Sequence, residues 1–207
     1  MATSKTKPAR RAAAALMKAD KAALDSVRPW RETPAVEALS WYSKLGDQPQ
    51  MLGLSGALLA LGLTRRDRRM ARAGARMISA HLLATVAKNF VKGRVDRTRP
   101  RSADGRDGHR PSLGRNHGKE ETSFPSGHSA GAIAVARAFA REYPQLRMPA
   151  LAAAGSIALA QIPRCAHYPT DVGAGLAIGA GAEGLVASLW PNRSADQSPA
   201  RQSATIS

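Results

Sequence analysis

The sequence predicts an all-α fold: a membrane-embedded helical bundle of about five core helices, preceded by an N-terminal amphipathic helix. Three observations predict it. Five apolar stretches, residues 51–63, 77–91, 129–140, 149–162 and 172–190, are rich in Ala, Leu, Gly and Met and lack strand-like alternation. The last of them carries Gly173, Gly175, Gly179, Gly181 and Gly184, the small-residue spacing by which helices pack closely in lipid. Basic residues crowd into the connections, with 16 of the 31 Lys and Arg falling between Thr64 and Lys119.

Taken in order, residues 1–50 form a basic N-terminal segment whose start, MATSKTKPARRAAAALMKADKAAL, reads as an amphipathic helix, free or lying on a membrane surface. Its apolar run is short and lacks a plausible cleavage site, which argues against a secretory signal. Residues 51–190 hold the bundle. Ser126 is a candidate N-cap for the third stretch, and Thr170 or Asp171 for the fifth. Pro144 and Pro149 punctuate the turn between the third and fourth. Residues 191–207 read as a disordered tail. A full span needs about 20 apolar residues. Only residues 172–190 reach that length unaided, and they contain Glu183. The others do so only if flanks such as Lys88 and Arg137 snorkel to the interface. The mean hydropathy of −0.29 pulls toward a soluble bundle, although polar tails and loops dilute it.

The 207 residues fit one domain. A formal charge of +16 points to anionic partners: nucleic acid, lipid headgroups or phosphorylated substrates. Only 4% of residues are aromatic, thin for a base-stacking surface. A soluble nucleic-acid-binding protein would explain the charge but not the apolar runs. The single cysteine, Cys165, excludes an internal disulfide framework and a multi-cysteine zinc site.

Three segments contain residues that could carry chemistry. In KGRVDRTRP (residues 92–100), Lys92 as a point charge and Arg99 as a planar fork can converge on one anion, or the run is a solvated basic loop. In PSGH (residues 125–128), Ser126 and Gly127 sit where a helix starts, so free amides and the helix dipole favour an oxyanion. His128 would face that anion and exchange protons near neutral pH; the plainer reading is an N-cap followed by a surface histidine. In RCAHYPTD (residues 164–171), Asp171 lies four residues after His167 and can hydrogen-bond one imidazole nitrogen while the other points outward, as in an oriented nucleophile or base. A structural His–Asp pair is the alternative. If the apolar segments are antiparallel neighbours, all three segments fall at one end of the bundle, and the six arginines of residues 64–76 fall at the other.

The order K-x6-RP, PSGH and H-x3-D resembles the type-2 phosphatidic acid phosphatase superfamily, whose fold is shared with vanadium haloperoxidases and bacterial non-specific acid phosphatases. The resemblance covers about residues 52–189. It implies metal-independent, cofactor-free hydrolysis of a phosphomonoester or diphosphate through a phosphohistidine. By that analogy His167 attacks phosphorus, Asp171 orients it, and His128 protonates the leaving oxygen and then activates water. Lys92, Arg99, Ser126 and Gly127 would hold the phosphoryl oxygens. One departure stands out. The family's third motif opens with Ser-Arg, where this chain has Ala160 and Gln161. Arg164 could reach the same oxyanion if the backbone stays helical past Pro163; otherwise the site has lost a cation and binds anions with weakened or no turnover.

Other candidates rank behind these. His81 lies in an apolar helix and reads as a packed residue; His109 and His117 have no metal-ligand spacing; Cys165 beside His167 could suggest a thiol nucleophile, but neighbouring chain positions do not ensure contact. The positive-inside rule puts residues 64–76 in the cytoplasm and the catalytic face on the periplasmic or outer side of a bacterial inner membrane. The expected substrate is a lipid phosphate or diphosphate, polyprenyl diphosphate ahead of phosphatidic acid or phosphatidylglycerophosphate, with no nucleic-acid partner and an oligomeric state left open. Vanadate-dependent halide oxidation on the same fold is a weaker alternative.

Overall fold

A computed structural model describes residues 6–102, 112–114 and 122–191 of the chain. Seven helices of at least ten residues occur among them: α1 (Thr6–Val27), α2 (Pro34–Ser43), α3 (Gln48–Thr64), α4 (Arg68–Lys92), α5 (Gly127–Glu142), α6 (Arg147–Leu159) and α7 (Pro169–Leu189). The five apolar stretches become α3 to α7, and the amphipathic segment becomes α1. The expectations for His109, His117 and residues 192–207 lie outside the described residues.

Local chemistry sets most helix ends. Asp67 caps α4 by accepting from the amides of Arg69 (2.9 Å) and Met70 (3.0 Å). Ser126 caps α5 through the Ser129 amide, as its sequence position suggests. For α7 the cap is Tyr168 rather than Thr170 or Asp171. Pro169 occupies the first turn, and Asp171 reaches back to accept the Tyr168 amide at 2.9 Å. A two-residue antiparallel ribbon, β1 (Val95–Asp96) with β2 (Ser112–Leu113), is added above the helix ends.

Helix α5 is the axis of the bundle, packed against α4, α6 and α7, with α3 beside α4. Its contact with α7 is backbone to backbone. A Cβ at Gly179 would overlap the carbonyl oxygen of Ala130, and one at Gly175 that of Ser126. The stripe of small residues is therefore used at two positions one turn apart.

Burial on the outside of the bundle is inverted relative to a water-soluble protein, while Met51, Met77, Val135, Ile157 and Val172 are buried as in any core. Inside are Ala73, Ala80, Ala84, Ala130, Ala134, Ala138 and Ala158, together with the charged Arg76, Glu142 and Glu183. Outside are Leu54, Leu63, Val86, Phe90, Leu159 and Leu189, each at least 60% exposed. Water favours the opposite arrangement. In lipid, large apolar groups face the solvent and helices associate through small and paired polar residues.

Candidate active site

Backbone hydrogen bonds tie the three sequence segments to one another at the C-terminal end of α4. The Ser123 amide donates to the Arg97 carbonyl (2.9 Å), the Arg101 amide to that of Cys165 (3.0 Å), and the Ser126 amide to that of Asp171 (3.0 Å). Each motif is thus registered against another before any side chain is considered.

They enclose a cavity of about 330 Å³ lined by Lys92, Arg99, Gly127, His128, Arg164 and His167 from the expected set. Asp47, His81, Thr85, Lys88 and Arg101 also line it. Five cations face a single carboxylate there, a field suited to a phosphoryl group.

His167 is 2% exposed and stands just before α7, where the chain turns through Cys165 at a positive φ of 50°. Its Nδ1 lies 2.7 Å from the Ser123 carbonyl oxygen. A carbonyl only accepts, so Nδ1 carries the proton and the Nε2 lone pair is left for chemistry. Asp171 Oδ2 is 3.8 Å from Nδ1, too far for a hydrogen bond, so the expected direct His–Asp bond is replaced by the Ser123 carbonyl. Asp171 acts as a nearby charge and as the anchor of the Tyr168 amide. Burial holds the imidazole below its usual range, against Asp171 and the Ser123 carbonyl, which favour protonation.

Asp171 is fixed from behind. Arg97 Nη1 donates to Asp171 Oδ1 and to Thr170 Oγ1 (2.8 Å), while its Nη2 donates to Asp20 Oδ2 (2.7 Å). Asp20 also accepts the Thr170 amide at 3.0 Å. Asp20 is 1% exposed on an otherwise largely exposed helix, so α1 is docked on the segment carrying His167 and is not free. Leu24 completes the joint against Cys165 and Tyr168. The Cys165 thiol is buried in that apolar cluster, away from the cavity, and burial raises its pKa.

His128, in the first turn of α5, places Nε2 2.8 Å from Asp47 Oδ1. Gly127 also lines the cavity, and a Cβ on it would stand 3.4 Å from Lys88 Nζ. Ser126, by contrast, is fully buried, with its amide on Asp171 and its hydroxyl 2.9 Å from Ser129 Oγ. It shapes the helix start and does not reach the cavity. Helix α6 ends at Leu159, and Arg164 lies on the following turns, so the helical continuation past Pro163 is not formed. Its guanidinium nevertheless lines the cavity, gripped by Gln161 Oε1 (2.9 Å), Ser40 Oγ (3.0 Å) and Ser43 Oγ. Gln161, where the family arginine would sit, holds an arginine instead of being one.

Comparison with known proteins identifies the family. The family model described as the PAP2 superfamily matches residues 73–195. The decaprenylphosphoryl-5-phosphoribose phosphatase of Mycobacterium tuberculosis is 32% identical over 139 residues, 65% of this chain and 68% of that protein. The lipid A 1-phosphatase of Rhizobium johnstonii is 47% identical over 58 residues, 28% of this chain, and the match spans only 24% of that longer relative. The crystal structure of a transmembrane PAP2-type phosphatidylglycerolphosphate phosphatase from Bacillus subtilis superposes with a TM-score of 0.61 at 22% identity, covering 86% of this chain and 89% of that one. The Aquifex aeolicus LpxE structure gives 0.58 at 21% identity, over 80% and 92%. With the family model matching more than half of its length, this chain belongs to the PAP2 superfamily and is a phosphatase of that family, a phosphoric monoester hydrolase.

Proposed function

We propose that the chain is an integral membrane phosphatase that removes the terminal phosphate of an amphiphilic lipid, a polyprenyl-linked phosphate or diphosphate ahead of phosphatidic acid or phosphatidylglycerophosphate. The observation that carries the chemistry is the His167 imidazole, protonated on Nδ1 by its bond to Ser123, in a cavity lined by five cations. The membrane setting rests on the inverted burial and on α7, which by length and composition can cross a bilayer. The polyprenyl preference rests on the mycobacterial relative, whose substrate name is that of a polyprenyl-linked sugar phosphate.

In this reading the His167 Nε2 lone pair attacks phosphorus as the bond to the leaving oxygen breaks, and protonated His128 gives that oxygen its proton. Lys92, Arg99, Arg164 and the Gly127 amide hold the equatorial oxygens, whose negative charge spreads as the bond breaks. Neutral His128 then takes a proton from water, hydroxide adds to phosphorus, and the P–N electron pair returns to Nε2. Burial draws the pKa of the His128 imidazole down to about 4, and against it Asp47 favours the charged form between these steps. The catalytic end lies on the periplasmic or outer face, opposite the arginine-rich end.

The test is phosphate release in detergent from a polyprenyl diphosphate, phosphatidic acid and phosphatidylglycerophosphate. The expected result is turnover of the polyprenyl substrate at the highest kcat/KM. A folded protein that binds these lipids and releases no phosphate from any of them would refute the reading.

A further inference from the structure

The opposite end of the bundle holds a second cavity, of about 420 Å³, where the end of α5 and the start of α6 meet α4 and α7. Arg76, Arg137, Arg141 and Arg147 line it against one carboxylate, Glu183. Glu183 is 1% exposed and binds Arg137 Nε at 3.0 Å together with Arg141, while Arg76 turns its Nε to Glu142 at 2.9 Å. These carboxylates cancel only part of the guanidinium charge. Arg137 spends only its Nε on Glu183, and Arg147 has no acceptor among the described residues, so a set of donors is left facing the cavity. Helix α6 starts at Arg147 without a side-chain cap, adding the positive end of its dipole.

Apolar surface marks the depth of this cavity in a bilayer. Met148 (73% exposed) follows the lining residue Arg147 in the chain, and Leu189 (77%) lies two residues beyond the lining Ala187. Trp190 follows Leu189, with its ring 5.1 Å from the Arg76 guanidinium and its carbonyl accepting from Arg76 Nη2. Tryptophan next to arginine at the end of a lipid-facing helix is the composition of the headgroup layer. The donors left by Arg137 and Arg147 suit the two non-bridging oxygens of a phosphodiester, which the edge of a guanidinium can take together. We propose that this cavity is a second anion site, separate from the catalytic one, that binds the phosphodiester headgroup of an anionic lipid of the leaflet facing away from the active site.

The probe is dihexanoyl-phosphatidylglycerol, a phosphodiester with no terminal phosphate to remove. Its binding to the full chain in uncharged detergent is measured by native mass spectrometry and calorimetry. The expected result is saturable binding that falls at least tenfold in Arg147→Glu and less steeply in Arg147→Ala. Melting temperature and turnover of a water-soluble phosphomonoester should stay at the wild-type value in both. Dihexanoyl-phosphatidylcholine and inorganic phosphate should not compete. Equal competition by inorganic phosphate would overturn the lipid assignment in favour of a free-phosphate site. Binding indifferent to both Arg147 substitutions would overturn the site itself.

Discussion

Replacing Asp20 should detach the N-terminal helix and disturb catalysis from a position that touches no substrate. Asp20 is buried and accepts Arg97 Nη2 at 2.7 Å, the Thr170 amide at 3.0 Å and the Thr170 hydroxyl. Breaking a buried charge pair costs about 3–5 kcal/mol when the other charge is left alone; Arg97 keeps Asp171, so the loss of Asp20 falls at the lower end of that range. In Asp20→Asn the Thr170 bonds can survive and only the charged bond to Arg97 is weakened, a loss of about 1.5–3 kcal/mol. Leu24 is the other anchor of α1, and burying a leucine contributes only about 1.5–3 kcal/mol. Loss of Asp20 therefore removes more than the remaining apolar contact supplies. Helix α1 should open while the bundle stays folded. At about 1.4 kcal/mol per factor of ten, Asp20→Ala should speed tryptic cleavage at Lys18 and Lys21 by about a hundredfold or more, and Asp20→Asn by about ten- to a hundredfold. Release of Arg97 loosens Asp171 and the His167 segment, so kcat should drop with KM nearly unchanged. Wild-type cleavage rates and wild-type kcat in both variants would refute the coupling.

Three further outcomes follow from the geometry. Arg164→Ala should lower kcat/KM by about 10²-fold, since a donor to the developing charge is lost. Gln161→Leu should cost about tenfold, because Ser40 and Ser43 still hold the guanidinium; both losses are read from initial rates. Because burial lowers the folded pKa of His167 from its ordinary value near 6.5, the neutral nucleophile persists below that pH. The acid limb of kcat/KM should then lie below about pH 6.5. In stability, this residue has no effect above the unfolded value and destabilises increasingly as pH falls beneath it, because the unfolded chain takes up the proton first. An acid limb at or above about pH 6.5, with a substrate whose own ionisation lies lower, would contradict this. Gly179→Ala should force α5 and α7 apart and cost about 1–3 kcal/mol or more, visible as a lower melting temperature in detergent, whereas Gly181→Ala, which meets nothing within 4 Å, should not.

The helices and the three motif segments were legible because their signals are local. Apolar runs without alternation give α3 to α7, and His128 and His167 stand out because a titratable ring beside a helix start needs a reason. What escaped was whatever depends on distant chain meeting distant chain. Asp47 reads as an ordinary residue before a helix until α5 brings His128 against it. Lys88 reads as a snorkelling flank, yet it lines the cavity beside Gly127. Asp20 reads as part of a polar helix face and becomes buried only because α1 folds back onto α7. His81 reads as packing, and it is 3% exposed, but it also lines the catalytic cavity. The true partner of His167 is a backbone carbonyl, which no side-chain pattern announces. The sequence spacing of Asp171 implies a hydrogen bond to His167, yet the two groups stand 3.8 Å apart, with Nδ1 turned to the Ser123 carbonyl instead.

The most direct test of the central claim is capture of the phosphoenzyme. The protein is mixed with polyprenyl diphosphate, quenched in alkali within a turnover to preserve phosphohistidine, digested, and the labelled peptide sequenced by mass spectrometry. The account predicts phosphate on His167, formed at a rate that accounts for kcat and absent in His167→Ala. Turnover that persists in His167→Ala, or phosphate found on His128 instead, would contradict it.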